Sequence, residues 1–238
     1  MIDERKVAIM QPYFLPYIGY WQLINAVDVF VVYDDIQFTK KGWINRNRFL
    51  MNDCDHIFSL PIKKASDYLN IVDRELSDTS SYDLAKQLRK IESAYRKAPY
   101  FEEVMPLISD CFCYDEKNLF KYIYYSILKI CQALEISTKI VKSSSLSVSP
   151  LLKGQERVIE TCKSLQATDY INPIGGEALY EHVAFKEKGI NLKFQHVNLY
   201  KYTQFGREFV PHLSILDVLM FNGIEGVKKM LDNMMVKV

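Results

Sequence analysis

Lys6-Val7-Ala8-Ile9-Met10 and, after a stretch of helical spacing, Asp28-Val29-Phe30-Val31-Val32-Tyr33 decide the fold class. The first run reads as a short buried strand that opens onto Gln11-Pro12. Between the two, Ile18, Trp21, Leu23 and Ile24 recur at helical spacing over 17–26, and Pro16 stands where a proline starts a helix. The second run is β-branched and continuously apolar, as in strands of a parallel sheet covered on both faces. Strand, helix and strand within about thirty residues make a unit compatible with a right-handed βαβ crossover.

The same alternation returns later in the chain. Strands are predicted over 138–141, 168–171 and 191–197, with helices over 154–165 and 178–188 between them and two short helices near 214–221 and 224–234. Residues 34–63 read as irregular or hairpin-like, with Ile57-Phe58-Ser59-Leu60 strand-like up to Pro61. Three helical patterns follow, near 82–97, 101–112 and 117–134, with no Gly/Ser/Pro linker on either side. The expectation is one α/β domain over 1–238: a Rossmann-like, mostly parallel sheet with helices on both faces and a helical insertion at about 80–135.

Composition narrows the function classes. Of 238 residues, 30 are Lys or Arg and 29 Asp or Glu, so the net charge is +1. That balance lacks the broad positive field of non-specific nucleic-acid binding, and no nucleic-acid partner is expected. The most apolar run, Val29–Tyr33, is strand-sized, far short of the roughly 20 apolar residues of a membrane span. Met1-Ile2-Asp3-Glu4-Arg5-Lys6 has no apolar stretch after it, so no secretory signal is read and a cytoplasmic location is expected. Cys54, Cys111, Cys113, Cys131 and Cys162 are an odd set without Cys-x-x-Cys, which reads as reduced thiols rather than a zinc site; no metal ligands are assigned. The aromatic load, 16 Tyr and 13 Phe, suits nucleotide or sugar ligands, and equally a plain core or a homodimer face.

In open α/β sheets ligands sit beyond the carboxyl ends of the strands, and the unusual strings of this chain fall there. In Gln11-Pro12-Tyr13-Phe14-Leu15-Pro16-Tyr17-Ile18-Gly19-Tyr20, two prolines bracket an aromatic turn and Gly19 permits close approach near a helix start. The string loosely parallels the loop of HIGH-type nucleotidylyltransferases, but Tyr17-Ile18-Gly19-Tyr20 lacks both histidines, which weighs against adenylyl transfer. Asp34-Asp35-Ile36-Gln37 ends a buried strand with paired carboxylates, able to hold Mg²⁺, orient a hydroxyl or exchange a proton; strand alternation sends one of the two into a pocket. Lys41 and Trp43-Ile44-Asn45-Arg46-Asn47-Arg48 combine an aromatic face, amides and guanidinium forks suited to phosphate. Ser144 and Ser145 could offer hydroxyl and N–H groups to a phosphate. Ser214 and Asp217 have capping-box spacing, whereas His212 just before them has no such duty and is the candidate general base.

Together these strings resemble the WbqC-like family, small bacterial proteins associated with O-antigen and other surface-polysaccharide gene clusters. The resemblance rests on Gln11-Pro12…Pro16-Tyr17-Ile18-Gly19-Tyr20, Asp28–Val31 with Asp34–Phe38, Trp43–Asn47, Lys97–Phe101, Ser144–Leu146 and Phe209–Asp217. Tyr17 stands where Trp is expected. The resemblance implies a cytoplasmic step on a nucleotide-linked amino sugar, with transfer of an acyl or aminoacyl group from a donor it does not specify. In that reading Arg46 and Lys41 hold a diphosphate, Tyr13 or Trp43 stacks, Asp34 or Asp35 takes a hydroxyl, and His212 deprotonates the amine. Gln11, Gly19, Gln37, Asn45, Asn47, Ser144 and Ser145 complete the expected binding set, and Gln11, Asp34, Arg46 and His212, each in or beside a loop expected at the carboxyl edge of the strands, are expected to line one shared pocket. Two other classes stay open: a non-catalytic scaffold in polysaccharide assembly, and an adenylate-forming or nucleotidyltransferase-like enzyme.

Overall fold

A computed structural model describes residues 4–197, 200–206, 208–232 and 235–237 of the chain. The first strand, β1 (Lys6–Met10), leads through a buried turn into α1 (Ile18–Asn25) and back into β2 (Val29–Val32). β1 and β2 pair in parallel with Val7 opposite Val29 and Met10 opposite Val32, so the predicted βαβ unit is present with its strands adjacent. An antiparallel hairpin, β3 (Arg46–Met51) and β4 (Cys54–Ser59), stands apart from the sheet. The helical insertion follows as α2 (Ser80–Tyr95), α3 (Phe101–Phe112) and α4 (Leu119–Ala133). At the start of α4 the Asn118 side chain accepts from the Lys121 N–H, satisfying one of the free donors of the first turn.

Alternation then resumes through β5 (Lys139–Lys142), α5 (Gly154–Ser164), β6 (Asp169–Pro173), α6 (His182–Lys186), β7 (Asn191–His196), α7 (Ile215–Leu231) and β8 (Met235–Lys237). The sheet order is β5-β2-β1-β6-β7-β8, parallel throughout except for β8, which runs antiparallel against β7. The chain therefore steps outward from β1 to β5, returns across it, and continues on the far side. That reversal between β1 and β6 is the switch point of a doubly wound sheet.

Alternate side chains of the central strands feed two separate cores. Ala8, Phe30 and Val32 face the core shared with α1, the insertion and α7, while Val7, Ile9, Val29 and Val31 face α5 and α6. Both faces of β1 and β2 are dry, which is why those strands read as unbroken apolar runs.

Two local expectations are corrected. The helix predicted over 178–188 is the end of a 3₁₀ turn, Ile174–Leu179, followed by the single short α6, because Tyr180 and Glu181 take extended backbone and interrupt it. The two terminal helices are one element, α7, broken at Gly223; of the predicted 224–234 segment, residues 233 and 234 lie outside the described residues. The closing strand β8 carries no alternation that announces it. The N-terminal Met1-Ile2-Asp3 also lies outside the described residues.

Gly223 sits at φ 68° and ψ 173°, a region only glycine enters freely, and a Cβ there would lie 2.6 Å from the Tyr100 ring. Gly223→Ala should therefore lower unfolding free energy by about 1–3 kcal/mol. Urea unfolding of the variant checks this, and an unchanged midpoint would refute it.

Candidate functional site

The segments after β2, before α5 and after β6 enclose a cavity of about 570 Å³ at the carboxyl edge of the sheet. Its polar wall is Asp35, Gln37, Asn70, Lys153, Gln155 and Arg157, and its aromatic wall Tyr33, Tyr68 and Tyr180. Arg157, on the first turn of α5 and nearly buried, forms an ion pair with Asp35 and lies 5.0 Å over the Tyr33 ring. Burial pushes the Tyr33 hydroxyl up to about 12, against the pull of Arg157, so it stays a neutral donor at physiological pH.

Asp34, one residue earlier, is buried against the turn after β5, and the Ser143 hydroxyl there reaches both its carboxylate and that of Asp35. The Asp34 carboxylate accepts from Ser143 Oγ at 2.8 Å, Ser144 N at 2.9 Å and Ser144 Oγ at 2.6 Å, and its own N–H donates to Ser143 Oγ. Asp34 is thus a latch between the ends of β2 and β5, and Asp35 is the carboxylate that lines the cavity. Ser145 turns its hydroxyl to the Lys142 carbonyl instead.

The aromatic turn after β1 is held from three sides. Asn47 on β3 is fully buried; its amide donates to the carbonyls of Phe14 and Leu15, and its Oδ1 accepts from the Tyr13 hydroxyl at 3.2 Å. Ser214 donates to the Leu15 carbonyl at 2.6 Å, and the Trp21 indole donates to the Pro16 carbonyl at 3.1 Å. Gly19 makes room for the Tyr17 ring, which a Cβ would approach to 2.5 Å, and its carbonyl accepts from the buried Gln195. Asn45 bonds the Leu60 carbonyl, and the Gln11 carbonyl accepts from Tyr20 while its side chain is exposed.

Around this turn lies a second polar surface. Trp43 is exposed, with the guanidinium carbons of Arg46 and Arg48 at 5.1 and 5.4 Å from its ring and Tyr13 tilted against it at 6.4 Å. Arg46 donates to the Lys41 carbonyl, and Arg48 pairs with Asp55 and reaches the His212 carbonyl. His212 is exposed, at φ 58°, edge-on to Tyr17 above a crevice of only about 20 Å³.

The four residues expected to line one pocket are therefore divided. Gln11, Asp34 and Arg46 line none of the described cavities, and His212 borders the small crevice rather than the large cavity. Asp35 and Gln37 are the two members of the expected set that the cavity unites. Lys153, Arg157, Asn70, Tyr33 and Tyr68 escaped sequence reading; Lys153-Gly154 at a helix start beyond a strand was the available signal. Among the described residues no three His, Cys, Asp or Glu side chains cluster as metal ligands. All five cysteines are free thiols, with Cys111, Cys131 and Cys162 buried.

Ser214 caps α7 by accepting from the Leu216 N–H, but Asp217 does not close a capping box. Fully buried, it accepts from Tyr95 at 2.6 Å, Tyr202 at 2.5 Å and Gln204 at 2.8 Å, tying α2, the 200–206 segment and α7 together.

The fold and its edge cavity define a doubly wound α/β protein with a small-molecule-sized site where such sheets bind ligands. The chain belongs to the WbqC-like protein family, whose profile matches residues 11–229. It is also similar to an uncharacterized protein of Mycobacterium tuberculosis, Rv1507c, at 29% identity over 224 residues, covering 93% of this chain and 95% of that one. No solved structure matches it. Among the described residues, no helix is long and apolar enough to cross a membrane.

Two stability predictions follow from these contacts. Asn47→Ala strands the Phe14 and Leu15 carbonyls and should cost about 1–3 kcal/mol in denaturant unfolding; an unperturbed midpoint would show the turn holds without it. Burial raises the Asp217 carboxyl above the ordinary carboxylate range, so the folded state keeps its proton to higher pH than the unfolded chain. The corresponding stability is present below the unfolded value of about 3.9 and drains away as pH rises through the folded one. The difference in unfolding free energy between wild type and Asp217→Asn should accordingly slope with pH in that window. A flat difference would mean the carboxyl titrates alike in both states.

Proposed function

We propose that this protein is a cytoplasmic enzyme of surface-polysaccharide biosynthesis that binds a nucleotide-linked amino sugar and transfers an acyl or aminoacyl group to its amine. The observation that carries the reading is the cavity at the carboxyl edge, with its Asp35–Arg157 pair set among tyrosines and amides. Its volume, about 570 Å³, falls in the range of roughly 300–1,000 Å³ typical of small-molecule sites. The polysaccharide setting is the one the resemblance implies, and membership of the WbqC-like family supports it.

Planar amides, a carboxylate and aromatic rings are the groups that recognise sugar hydroxyls and faces, and Lys153 at the rim adds a cation for a phosphate. Asp35 receives the sugar amine and takes its proton as the N–C bond to the acyl carbon forms; the bond from that carbon to the donor then breaks, its electron pair leaving with the donor's carrier group, while Arg157 fixes the carboxylate's orientation. His212, above a different crevice, has no step in this scheme.

A scaffold reading draws on one feature: Tyr68 and Leu179 on the cavity wall, and Leu151 beside it in sequence, are largely exposed apolar side chains. The two readings separate on ligand binding. A panel of nucleotide-linked sugars should include one that raises the melting temperature, because a ligand specific to the native state stabilises it. Lys153→Ala should weaken that ligand, and Asp35→Asn should keep binding yet lose about 10²–10⁴-fold in turnover. Absence of stabilisation across the panel, or full turnover in folded Asp35→Asn, would overturn the assignment.

A further inference from the structure

The surface around Trp43 is unused by the cavity. Tyr13 packs against the core on the α1 face of the sheet, whereas Tyr33 and Tyr180 of the cavity pack against the α5 face. None of the cavity's lining residues belongs to the Trp43 surface. Trp43 leaves 42% of its surface in water, while Trp21, the other tryptophan, is wholly buried. Arg46 and Arg48, two apart on β3, point the same way and flank that indole.

Charge is unbalanced here. Arg46 has no carboxylate within ion-pairing distance among the described residues, where its guanidinium donates to the Lys41 carbonyl at 2.6 Å. Lys41 is exposed and likewise outside the ion pairs, whereas its neighbour Lys40 is held by Asp67 at 2.6 Å. Of the three cations Lys41, Arg46 and Arg48, only Arg48 has a carboxylate partner among the described residues, Asp55. The guanidinium groups are not loose: β3 is paired along its length with β4, and Asn47 between them is locked to the β1–α1 turn. Rigid, under-neutralised arginines beside an exposed flat ring suit a ligand with both phosphates and an aromatic base.

We propose that Trp43, Arg46, Arg48 and Lys41 form a second ligand site, separate from the cavity, for a nucleoside polyphosphate. The base stacks on the open part of Trp43, and the phosphates lie against Arg46, Arg48 and Lys41. The site is small and the net charge of the chain only +1, which favours a single nucleotide over a nucleic-acid strand. Its existence does not depend on what the cavity binds.

Calorimetry on the full chain with ATP and magnesium, alongside inorganic triphosphate, adenosine and a short single-stranded oligonucleotide, tests this. ATP should bind one to one and quench tryptophan emission, with the quench absent in Trp43→Phe and triphosphate competing. Arg46→Ala should weaken ATP by about tenfold or more, the worth of a charge-assisted hydrogen bond. Lys41→Glu, at an exposed side chain outside the ion pairs of the described residues, should weaken it too. Lys153→Ala, in the cavity, should leave ATP affinity unchanged, so failure here and failure of the cavity assignment are told apart. ATP binding that survives both Trp43→Ala and Lys41→Glu, that falls in Lys153→Ala instead, or that is absent at millimolar ATP would overturn the proposal. So would an oligonucleotide that binds more tightly than ATP.

Discussion

The carbonyl of Leu15 is where the architecture of this edge is decided. The chain leaves β1 and must turn at once into α1 without exposing Phe14 and Leu15, both fully buried. To do so Leu15 adopts φ 44°, a conformation unfavourable for a branched-chain residue. Its carbonyl cannot join a helix or a strand, and a buried carbonyl without a partner costs the full desolvation of the group. Asn47 from the hairpin and Ser214 from the start of α7 both donate to it. Two segments that are distant in sequence are thereby drawn to one point, and the hairpin, α7 and the first βαβ unit are fixed to each other.

This explains why so many of the unusual strings turn out to be supports rather than ligands. The Ser214 backbone N–H donates to the Arg48 carbonyl, the Ile215 N–H to Pro16, and Phe14 N–H to Ile44. Asn45, Asn47, Ser214 and Gly19 all have their polar groups or their space committed within the protein. At the edge the cavity presents Lys153 and the Asp35–Arg157 pair, and the hairpin that those supports fix presents Trp43 and Arg46. Rigid backing with few free side chains is the arrangement that gives a site definite geometry.

Much of this was legible beforehand, for identifiable reasons. Strands buried on both faces cannot avoid continuous apolar runs, so β1 and β2 declared themselves, and with them the parallel sheet. The insertion helices carry strong 3.6-residue periodicity and appear within a residue or two of their expected limits. Asp34 and Asp35 were distinguishable as a pair because strand side chains alternate. Which of them met solvent was not, since only the placement of Ser144, in the turn after β5, identifies the captured one.

By itself, then, the sequence determined the order of elements, the parallel sheet and the family, because periodicity and local turn chemistry are short-range properties of the chain. Tertiary structure alone decided which side chains share a cavity. Arg157 meets Asp35 across 122 residues, and Asp217 gathers Tyr95 from the same separation in the chain. Arg157 reads locally as one charged residue of an amphipathic helix, and Asp217 as half of a capping box. Their roles follow from strand order and crossover, which bring remote segments to one sheet edge and which no local spacing encodes.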